Sequence, residues 1–260
     1  MSEPFWETRI TKIEPNRIYV RGYRIDKLME EKEFIDGIYL VIFGTLPDER
    51  VKKVLNAILL SCIDHGVTPP STLVARSVTS TGNPLHCALA AGILTIYKYH
   101  GGAIENAMRH YQEIKEMASK EKKRIEEVAE EYVRQKLERK EIIFGFGHRY
   151  HTDDPRTKKL FKIAEEEGFY RDYLKIAEAI KNAIKKIKGR EIPINVDGAI
   201  AALLCELGVP PELGNAFFIL SRIPGLIAHI YEEKTTQKPM RKIDINKCEY
   251  KGEVKDDRDS

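Results

Sequence analysis

The chain has 260 residues, of which 42% are hydrophobic and 32% are charged. These proportions are typical of a globular protein with a buried core, and they exclude collagen-like, disordered and disulfide-scaffold proteins. The 43 basic and 40 acidic residues leave a net charge of +3, with both signs interspersed. We therefore expect no nucleic-acid partner, because such an interface needs many clustered basic side chains.

The cysteine spacing and the hydropathy pattern narrow the class of protein further. The four cysteines lie far apart and form no Cys-x-x-Cys pair, so the sequence predicts neither a disulfide framework nor a metal site. It contains no run of about 18 apolar residues, and the segment MSEPFWETRITK lacks the pattern of a signal peptide. We expect a cytoplasmic protein without a membrane partner.

The predicted elements are a short hairpin followed by helices. Alternating segments from Thr8 to Ile25, on either side of Pro15-Asn16, predict the hairpin. Beyond it, apolar residues recur at helical spacing, which predicts an all-α fold. The predicted helices extend from Asp48 to about Asp64, from Pro84 to Lys98, from Ile104 to Lys140 with a break near Ser119, from Tyr170 to Lys188, from Asn195 to Leu207 and from Glu212 to about Lys234.

Three segments carry side chains suited to carbon-acid chemistry. His100 precedes Gly101-Gly102, where backbone N–H groups at a helix start can approach a ligand. His148 closes a glycine-rich segment that also fits a flexible turn, and Asp197 occupies a first helical turn that also suits a capping carboxylate. Together they supply a base for a C–H proton, a donor for an enolate oxygen and a donor for a second carbonyl.

Four motifs resemble those of the citrate synthase superfamily and occur in the same order. They are HGGA at 100–103, GFGHRY to DPR at 145–156, NVDG at 195–198 and SRIPGLIAH at 221–229. The resemblance covers most of the chain and implies a citrate synthase-like helical fold.

The resemblance also implies how the chain is organised. It predicts a large dimerisation domain formed by residues 1–103 and 208–260, and a small CoA-binding domain formed by residues 104–207. It implies a homo-oligomer, a dimer or larger, with active sites near the subunit interface.

The same resemblance assigns catalytic roles to three side chains. His100 resembles the histidine that hydrogen-bonds the thioester oxygen of acetyl-CoA. His148 resembles the one that exchanges a proton with the oxaloacetate carbonyl or the citryl hydroxyl. Asp197 resembles the carboxylate that moves the proton of the acetyl methyl group.

Four further residues resemble the family's substrate ligands. Arg156 and Arg222 resemble arginines that hold the dicarboxylate, a task that suits guanidinium groups because they bind carboxylates bidentately. His65 resembles a substrate-binding histidine. Arg241 resembles an arginine that a neighbouring subunit contributes across the interface.

The resemblance places coenzyme A along the backbone that leads to His148. The predicted contacts are Phe144, Gly145, Phe146 and Gly147, with the phosphates near Lys188 and Arg190. That basic tract is also typical of a solvated helix end. Coenzyme A would arrive and leave as part of the substrate and product, so we expect no permanently bound cofactor.

Three departures from the usual synthase pattern favour a stand-alone citryl-CoA lyase, which cleaves citryl-CoA to acetyl-CoA and oxaloacetate. The chain is shorter, Gly-Val-Thr-Pro follows His65, and Ile104 replaces a common asparagine. Several segments also resemble the citryl-CoA lyase portion of ATP citrate lyase. The alternatives are a citrate or 2-methylcitrate synthase and, in another class, a non-catalytic assembly subunit of a citrate-cleaving complex.

Overall fold

The computed structural model describes residues 6–147 and 154–254, which are predominantly helical. The strands are β1 (Thr11–Glu14), β2 (Arg17–Val20) and β3 (Tyr23–Arg24). The helices are α1 (Ile25–Glu31), α2 (Phe34–Phe43), α3 (Glu49–Ser61), α4 (Pro70–Ser80), α5 (Leu85–Leu94), α6 (Ala103–Glu121), α7 (Ile125–Glu138), α8 (Pro155–Glu166), α9 (Asp172–Lys188), α10 (Val196–Glu206) and α11 (Gly214–Thr236). Two short 3-10 turns span Pro211–Leu213 and Ile245–Lys247.

The predicted N-terminal hairpin is confirmed and is extended by a third strand. β1 and β2 pair antiparallel, with Lys12 opposite Tyr19. The chain then reverses again at Arg21 and Gly22, both of which have positive φ angles, and β3 pairs with β2. A second tight turn therefore converts the hairpin into a three-stranded sheet.

Contacts between Cα atoms divide the chain into two compact units. The first unit comprises Met1–Asp64 and Ile96–Ile223, and the second comprises His65–Thr95 and Pro224–Ser260. The boundaries of these units differ from those of the large and small domains that the resemblance implies. The division into large and small domains stays a prediction.

Helix α10 lies in the core of the first unit, where it packs against α3, α6, α8 and α9. Nine of its eleven residues are buried, and most of them are small or aliphatic. Ile176 and Ile180 of α9 and Ile200 of α10 are almost fully buried. Each such side chain contributes about 1.5–3 kcal/mol by its removal from water. Asp197, in the first turn of α10, therefore belongs to one of the most buried helices of the unit.

Two predicted helices differ from the observed ones. The seam from Ile104 to Lys140 breaks at Lys122 rather than near Ser119, because Lys122 adopts a left-handed conformation that ends α6. The helix predicted to reach Lys98 ends at Leu94. The following residues form a turn that closes on Gly101, whose φ of +70° a helix cannot accommodate.

The second unit is built on α4, α5 and the part of α11 that follows Pro224. A small apolar cluster joins the three helices through Ala75, Ala88, Leu226 and Ile230. Beside it, the buried carboxylate of Glu233 accepts hydrogen bonds from Arg76 and Arg241.

Among the described residues, one helical stretch, Pro211–Thr236, is long and apolar enough to cross a membrane by length and composition alone. Of its apolar part, 44% is buried inside the protein. Core helices of soluble proteins can have the same length and composition, so the stretch does not by itself indicate a membrane span.

Candidate active site

The site in the first unit is organised around the N-terminus of α10. Asn195 caps this helix, and its side-chain oxygen accepts a hydrogen bond from Gly198 N at 3.0 Å. Asp197 lies in the first turn, as the sequence predicts. Burial raises the pKa of its carboxyl to about 6, against the positive charges of Arg156 and Arg222, which lower it. Asp197 can therefore exchange a proton near neutral pH.

The glycine-rich loop that precedes His148 packs directly on this helix start. Gly147 N donates to Pro193 O at 2.8 Å, and Asn195 N donates to Gly145 O at 3.0 Å. The Asn195 side chain donates to Gly147 O at 2.9 Å. His148 itself lies outside the described residues, but the loop that carries it is fixed beside Asp197.

Glycine is required where the loop meets α10. A Cβ on Gly198 would lie 2.3 Å from Gly145 O, and a Cβ on Gly145 would lie 2.8 Å from Gly198 Cα. Gly145 also has a φ of +91°, which side-chain-bearing residues rarely adopt. The glycines of two motifs that lie 53 positions apart in sequence thus serve one backbone contact.

Arg222 is the most deeply buried of the predicted substrate ligands. It is 2% exposed, its Nε donates to Cys62 O at 2.9 Å, and its guanidinium lies 4.9 Å from the centre of the Phe218 ring. Its Nη1 is buried and has no hydrogen-bond partner among the residues that the structure describes. A buried donor of this kind is costly unless a ligand satisfies it, and a carboxylate would do so.

Arg156 is held by a buried aspartate at the start of α8. Its Nε and Nη2 lie 3.0 and 2.8 Å from the two carboxylate oxygens of Asp154, which also caps the helix. The pKa of Arg156 is raised: burial lowers it, but the hydrogen bond and charge of Asp154 outweigh that effect. Arg156 therefore keeps its charge and a fixed orientation beside Asp197.

His100 lies in a tight turn against the same aromatic ring that contacts Arg222. Its backbone N donates to Tyr97 O at 2.7 Å, and its ring meets Phe218 edge-on, with the centroids 5.8 Å apart. A Cβ on Gly101 would lie 2.4 Å from the Phe218 ring, so the glycine after His100 lets this turn close. Phe218 thus lies between a predicted catalytic histidine and a predicted substrate arginine.

The structure also shows neighbours that sequence reasoning missed. Cys62 interacts electrostatically with Asp197, and burial raises the pKa of its thiol to about 12, so the thiol stays neutral. Asp154 could have been found from its position before Pro155 at a helix start. Cys62 and Phe218 carry no local signal, because only the tertiary fold brings them to the site.

The remaining predicted ligands lie in other parts of the chain. His65 and Arg241 belong to the second unit, where Arg241 forms a two-point ion pair with Glu233. Lys188 and Arg190 are exposed at the end of α9, and neither pairs with an acidic side chain in the described part of the chain. The ligand roles of all four residues stay predictions.

No group of three His, Cys, Asp or Glu side chains within residues 6–147 and 154–254 could hold a metal ion. The residues around Asp197 offer an acid–base group, hydrogen-bond donors and guanidinium groups.

A family model described as the C-terminal domain of citrate synthase matches residues 45–243. The chain belongs to the citrate synthase family. A citrate synthase from Haloferax volcanii is 31% identical over 235 residues, which are 86% of this chain and 59% of that protein. The chain spans about half to three fifths of the length of the curated relatives that it matches.

Solved structures of this family share the fold. The structure of citryl-CoA lyase from Hydrogenobacter thermophilus has a TM-score of 0.88 and 43% sequence identity, covering 98% of this chain and 97% of that one. ATP citrate lyase from Methanothrix soehngenii, in complex with citrate and coenzyme A, has a TM-score of 0.84 at 22% identity, covering 98% and 43%. The second likeness shows the fold alone, which is citrate synthase-like and helical with a small N-terminal sheet.

The contact between the glycine loop and α10 predicts a large effect of Gly145→Ala on stability. Gly168→Ala is a matched control, because Gly168 also has a positive φ but nothing lies within 4 Å of its Cβ position. We expect the control to lose about 1–2 kcal/mol of unfolding free energy through backbone strain. Gly145→Ala should lose about 1–3 kcal/mol more through overpacking. Urea denaturation measures both, and equal losses would contradict the importance of the contact.

Proposed function

We propose that this chain is a citryl-CoA lyase, which cleaves citryl-CoA to acetyl-CoA and oxaloacetate. The observation that carries the proposal is the carboxyl of Asp197, whose pKa is raised to about 6 although the guanidinium groups of Arg156 and Arg222 are close by. Such a group can deliver a proton to carbon near neutral pH. The 43% identity with the Hydrogenobacter lyase favours cleavage over synthesis.

In the proposed reaction, His148 accepts the proton of the tertiary hydroxyl of citryl-CoA. The carbon–oxygen bond becomes a carbonyl, and the electron pair of the breaking carbon–carbon bond passes to the acetyl fragment as a thioester enolate. His100 donates a hydrogen bond to the enolate oxygen, and Asp197 delivers a proton to the enolate carbon. The roles of these three residues follow the family resemblance, and His148 lies outside the described residues.

Carboxylate recognition is proposed for the two arginines of the first unit. The unpaired Nη1 of Arg222 supports this role, because a substrate carboxylate would satisfy a buried donor. Arg156 would donate to a substrate carboxylate through the N–H groups that do not bind Asp154. His65 is proposed as a further ligand, and so is Arg241, supplied by a neighbouring subunit.

Coenzyme A is proposed to lie along Phe144–Gly147, with its phosphates near Lys188 and Arg190. The exposure of these two side chains, neither of which is paired with a described acidic residue, supports the phosphate role. Coenzyme A takes part as substrate and product, and no permanently bound cofactor is proposed.

A citrate synthase is the second candidate, and the 31% identity with the Haloferax enzyme favours it. Both reactions use the same carbon–carbon step. They differ in whether the thioester is hydrolysed to free citrate. A 2-methylcitrate synthase differs from a citrate synthase by one methyl group of substrate, worth about 1–3 kcal/mol of discrimination.

Purified protein supplied with citryl-CoA should release acetyl-CoA and oxaloacetate in equal amounts, with little free citrate, as followed by chromatography. Asp197→Asn should lower turnover by about 100-fold or more, because the proton donor to carbon is lost. Asp172→Asn is a matched control, since Asp172 also occupies a first helical turn but pairs with Lys115 on the surface. Rapid formation of citrate without cleavage would identify a synthase, and a fully active Asp197→Asn enzyme would refute the assigned role.

The raised pKa of Asp197 predicts opposite pH dependences for the two directions of the carbon–carbon step. Cleavage needs the protonated carboxyl, so its kcat/KM should fall as the pH rises above about 6. Enolisation of acetyl-CoA needs the carboxylate, so exchange of its methyl protons with deuterated water should rise through the same pH. Slopes of the same sign in both experiments would show that another group moves this proton.

We also propose that the chain forms a homo-oligomer through the second unit. Helix α5 is apolar nearly all round, yet Leu85 is 45% exposed and Leu94 is 85% exposed. The neighbouring α4 adds Leu73, which is 57% exposed. Several large apolar side chains exposed on two helices that pack together favour a surface that a partner covers.

Sedimentation velocity tests this interface. The double variant Leu85→Glu/Leu94→Glu should sediment as a monomer, because charged side chains would be buried in the contact. Leu60→Glu is the control. Leu60 is 57% exposed, which lies between the values for Leu85 and Leu94, but it belongs to α3 in the first unit. A monomeric wild-type protein, or an unchanged double variant, would contradict the proposal.

A further inference from the structure

A partly buried polar cluster beside the glycine loop is not used by the proposed chemistry. His110 Nδ1 of α6 lies 2.7 Å from the hydroxyl oxygen of Tyr132 in α7. The Tyr132 hydroxyl donates to the Glu113 carboxylate at 2.6 Å. A tyrosine has only one O–H, so its oxygen must accept the hydrogen bond from His110 Nδ1–H. This hydrogen bond leaves Nε2 of the imidazole with a lone pair and fixes the orientation of the ring.

The fixed ring of His110 packs against the first residue of the glycine loop. The rings of His110 and Phe144 are stacked, with centroids 5.9 Å apart and an interplanar angle of 23°. The same helix also contacts the next residue, because a Cβ on Gly145 would lie 3.2 Å from the Tyr111 hydroxyl and 3.3 Å from the Ala107 side chain. Helix α6 therefore supports one side of the loop, while the start of α10 holds the other.

The imidazole brings a buried polar atom to a position where a side chain that only fills space would need none. Its Nε2 is buried and makes no hydrogen bond of normal geometry with the described residues, although the backbone of Ile142 interacts with the imidazole and raises its pKa. A phenylalanine would fill the space without leaving a polar atom unsatisfied, but it would lose the hydrogen bond to Tyr132 that orients the ring. Burial and then the charge of Lys136 lower the pKa of His110 to about 4, against the carboxylates of Glu113 and Glu141. The ring is neutral at physiological pH, and its hydrogen bond to Tyr132 keeps it oriented against Phe144.

We propose that His110 is a positioning residue for CoA-thioester binding. Its ring, oriented by Tyr132 and Glu113, supports Phe144 and so sets the conformation of the segment Phe144–Gly147. The inference rests on the proposed function in one respect, namely that this segment binds the CoA part of the substrate. His110 lies behind the loop and is not expected to touch a reacting atom, so it should affect binding more than the chemical step.

His110→Ala tests this role through a split between KM and kcat. We expect the Kd for coenzyme A alone, measured by titration calorimetry, and the KM for citryl-CoA to rise about 5- to 10-fold, the range of an aromatic stack. The value of kcat should stay within about twofold, because the hydrogen bonds of Gly145 and Gly147 to residues 193–195 still hold the end of the loop nearest to His148. His110→Phe keeps an aromatic ring against Phe144 and should restore the Kd to within about threefold of wild type. An unchanged Kd in a folded His110→Ala protein would overturn the proposal.

A double-mutant cycle keeps the test valid if His110→Ala folds poorly. Phe144→Leu removes the other ring of the stack, Tyr132→Phe removes the hydroxyl that orients His110, and the double variant Tyr132→Phe/Phe144→Leu completes the cycle. The losses in CoA affinity from Tyr132→Phe and Phe144→Leu should be less than additive, because both act on the same support. Additive losses would show that Tyr132 and His110 do not act through Phe144.

The outcome also separates this inference from the proposed activity. If wild-type protein binds coenzyme A but does not cleave citryl-CoA, while His110→Ala weakens CoA binding, only the lyase assignment fails. If wild-type protein cleaves citryl-CoA and His110→Ala binds coenzyme A as tightly as wild type does, only the positioning role fails. A wild-type protein that does not bind coenzyme A overturns both.

Discussion

The backbone contact between Gly145 and Gly198 is the constraint on which the site depends. It leaves no room for a Cβ on either residue, and it fixes the glycine loop to the first turn of a helix whose other residues are nearly all buried. Three hydrogen bonds to residues 193–195 reinforce it. The loop is thereby held against the core. Acid–base chemistry needs such support, because its groups must keep a fixed distance and orientation.

The electrostatics of Asp197 show why burial matters more here than the nearby charges. Two guanidinium groups stabilise its carboxylate, yet burial prevails and the pKa rises to about 6. Part of the reason is that the charge of Arg156 is shared with the buried carboxylate of Asp154, which also raises the pKa of Asp197 directly. A carboxyl flanked only by two free arginines would be ionised at all physiological pH values and could not protonate carbon.

The sequence predicted the parts of the site that have a local signature and missed those that do not. The start of α10 was predictable because an asparagine cap, a carboxylate and an apolar helix follow one another within a few residues. The end of α5 was not, because the apolar pattern continues past Leu94 while the backbone reverses at Gly101. Packing between helices that are distant in sequence brings Phe218, Cys62 and His110 to the site. Local hydrophobic periodicity does not indicate which distant helices pack together, so the sequence could not predict these neighbours.

The predicted substrate arginines share a feature that one motif alone would not reveal. In each, the protein already binds Nε: Asp154 holds that of Arg156, Cys62 O that of Arg222, and Glu233 that of Arg241. In Arg156 and Arg241 the same carboxylate also binds Nη2, which leaves Nη1 outside the pair. In Arg222 it is Nη1 that lacks a partner.

This arrangement matters because a free arginine side chain loses much rotational entropy when it binds a ligand. An acceptor on the Nε edge removes that entropy during folding, before the substrate arrives, and leaves the opposite edge of the guanidinium to meet a carboxylate. The acceptor also lowers the cost of burying the positive charge, which is greatest for Arg222 at 2% exposure. Arg241 has the same arrangement within its own unit, where its pair with Glu233 leaves Nη1 outside, and its substrate role stays a prediction.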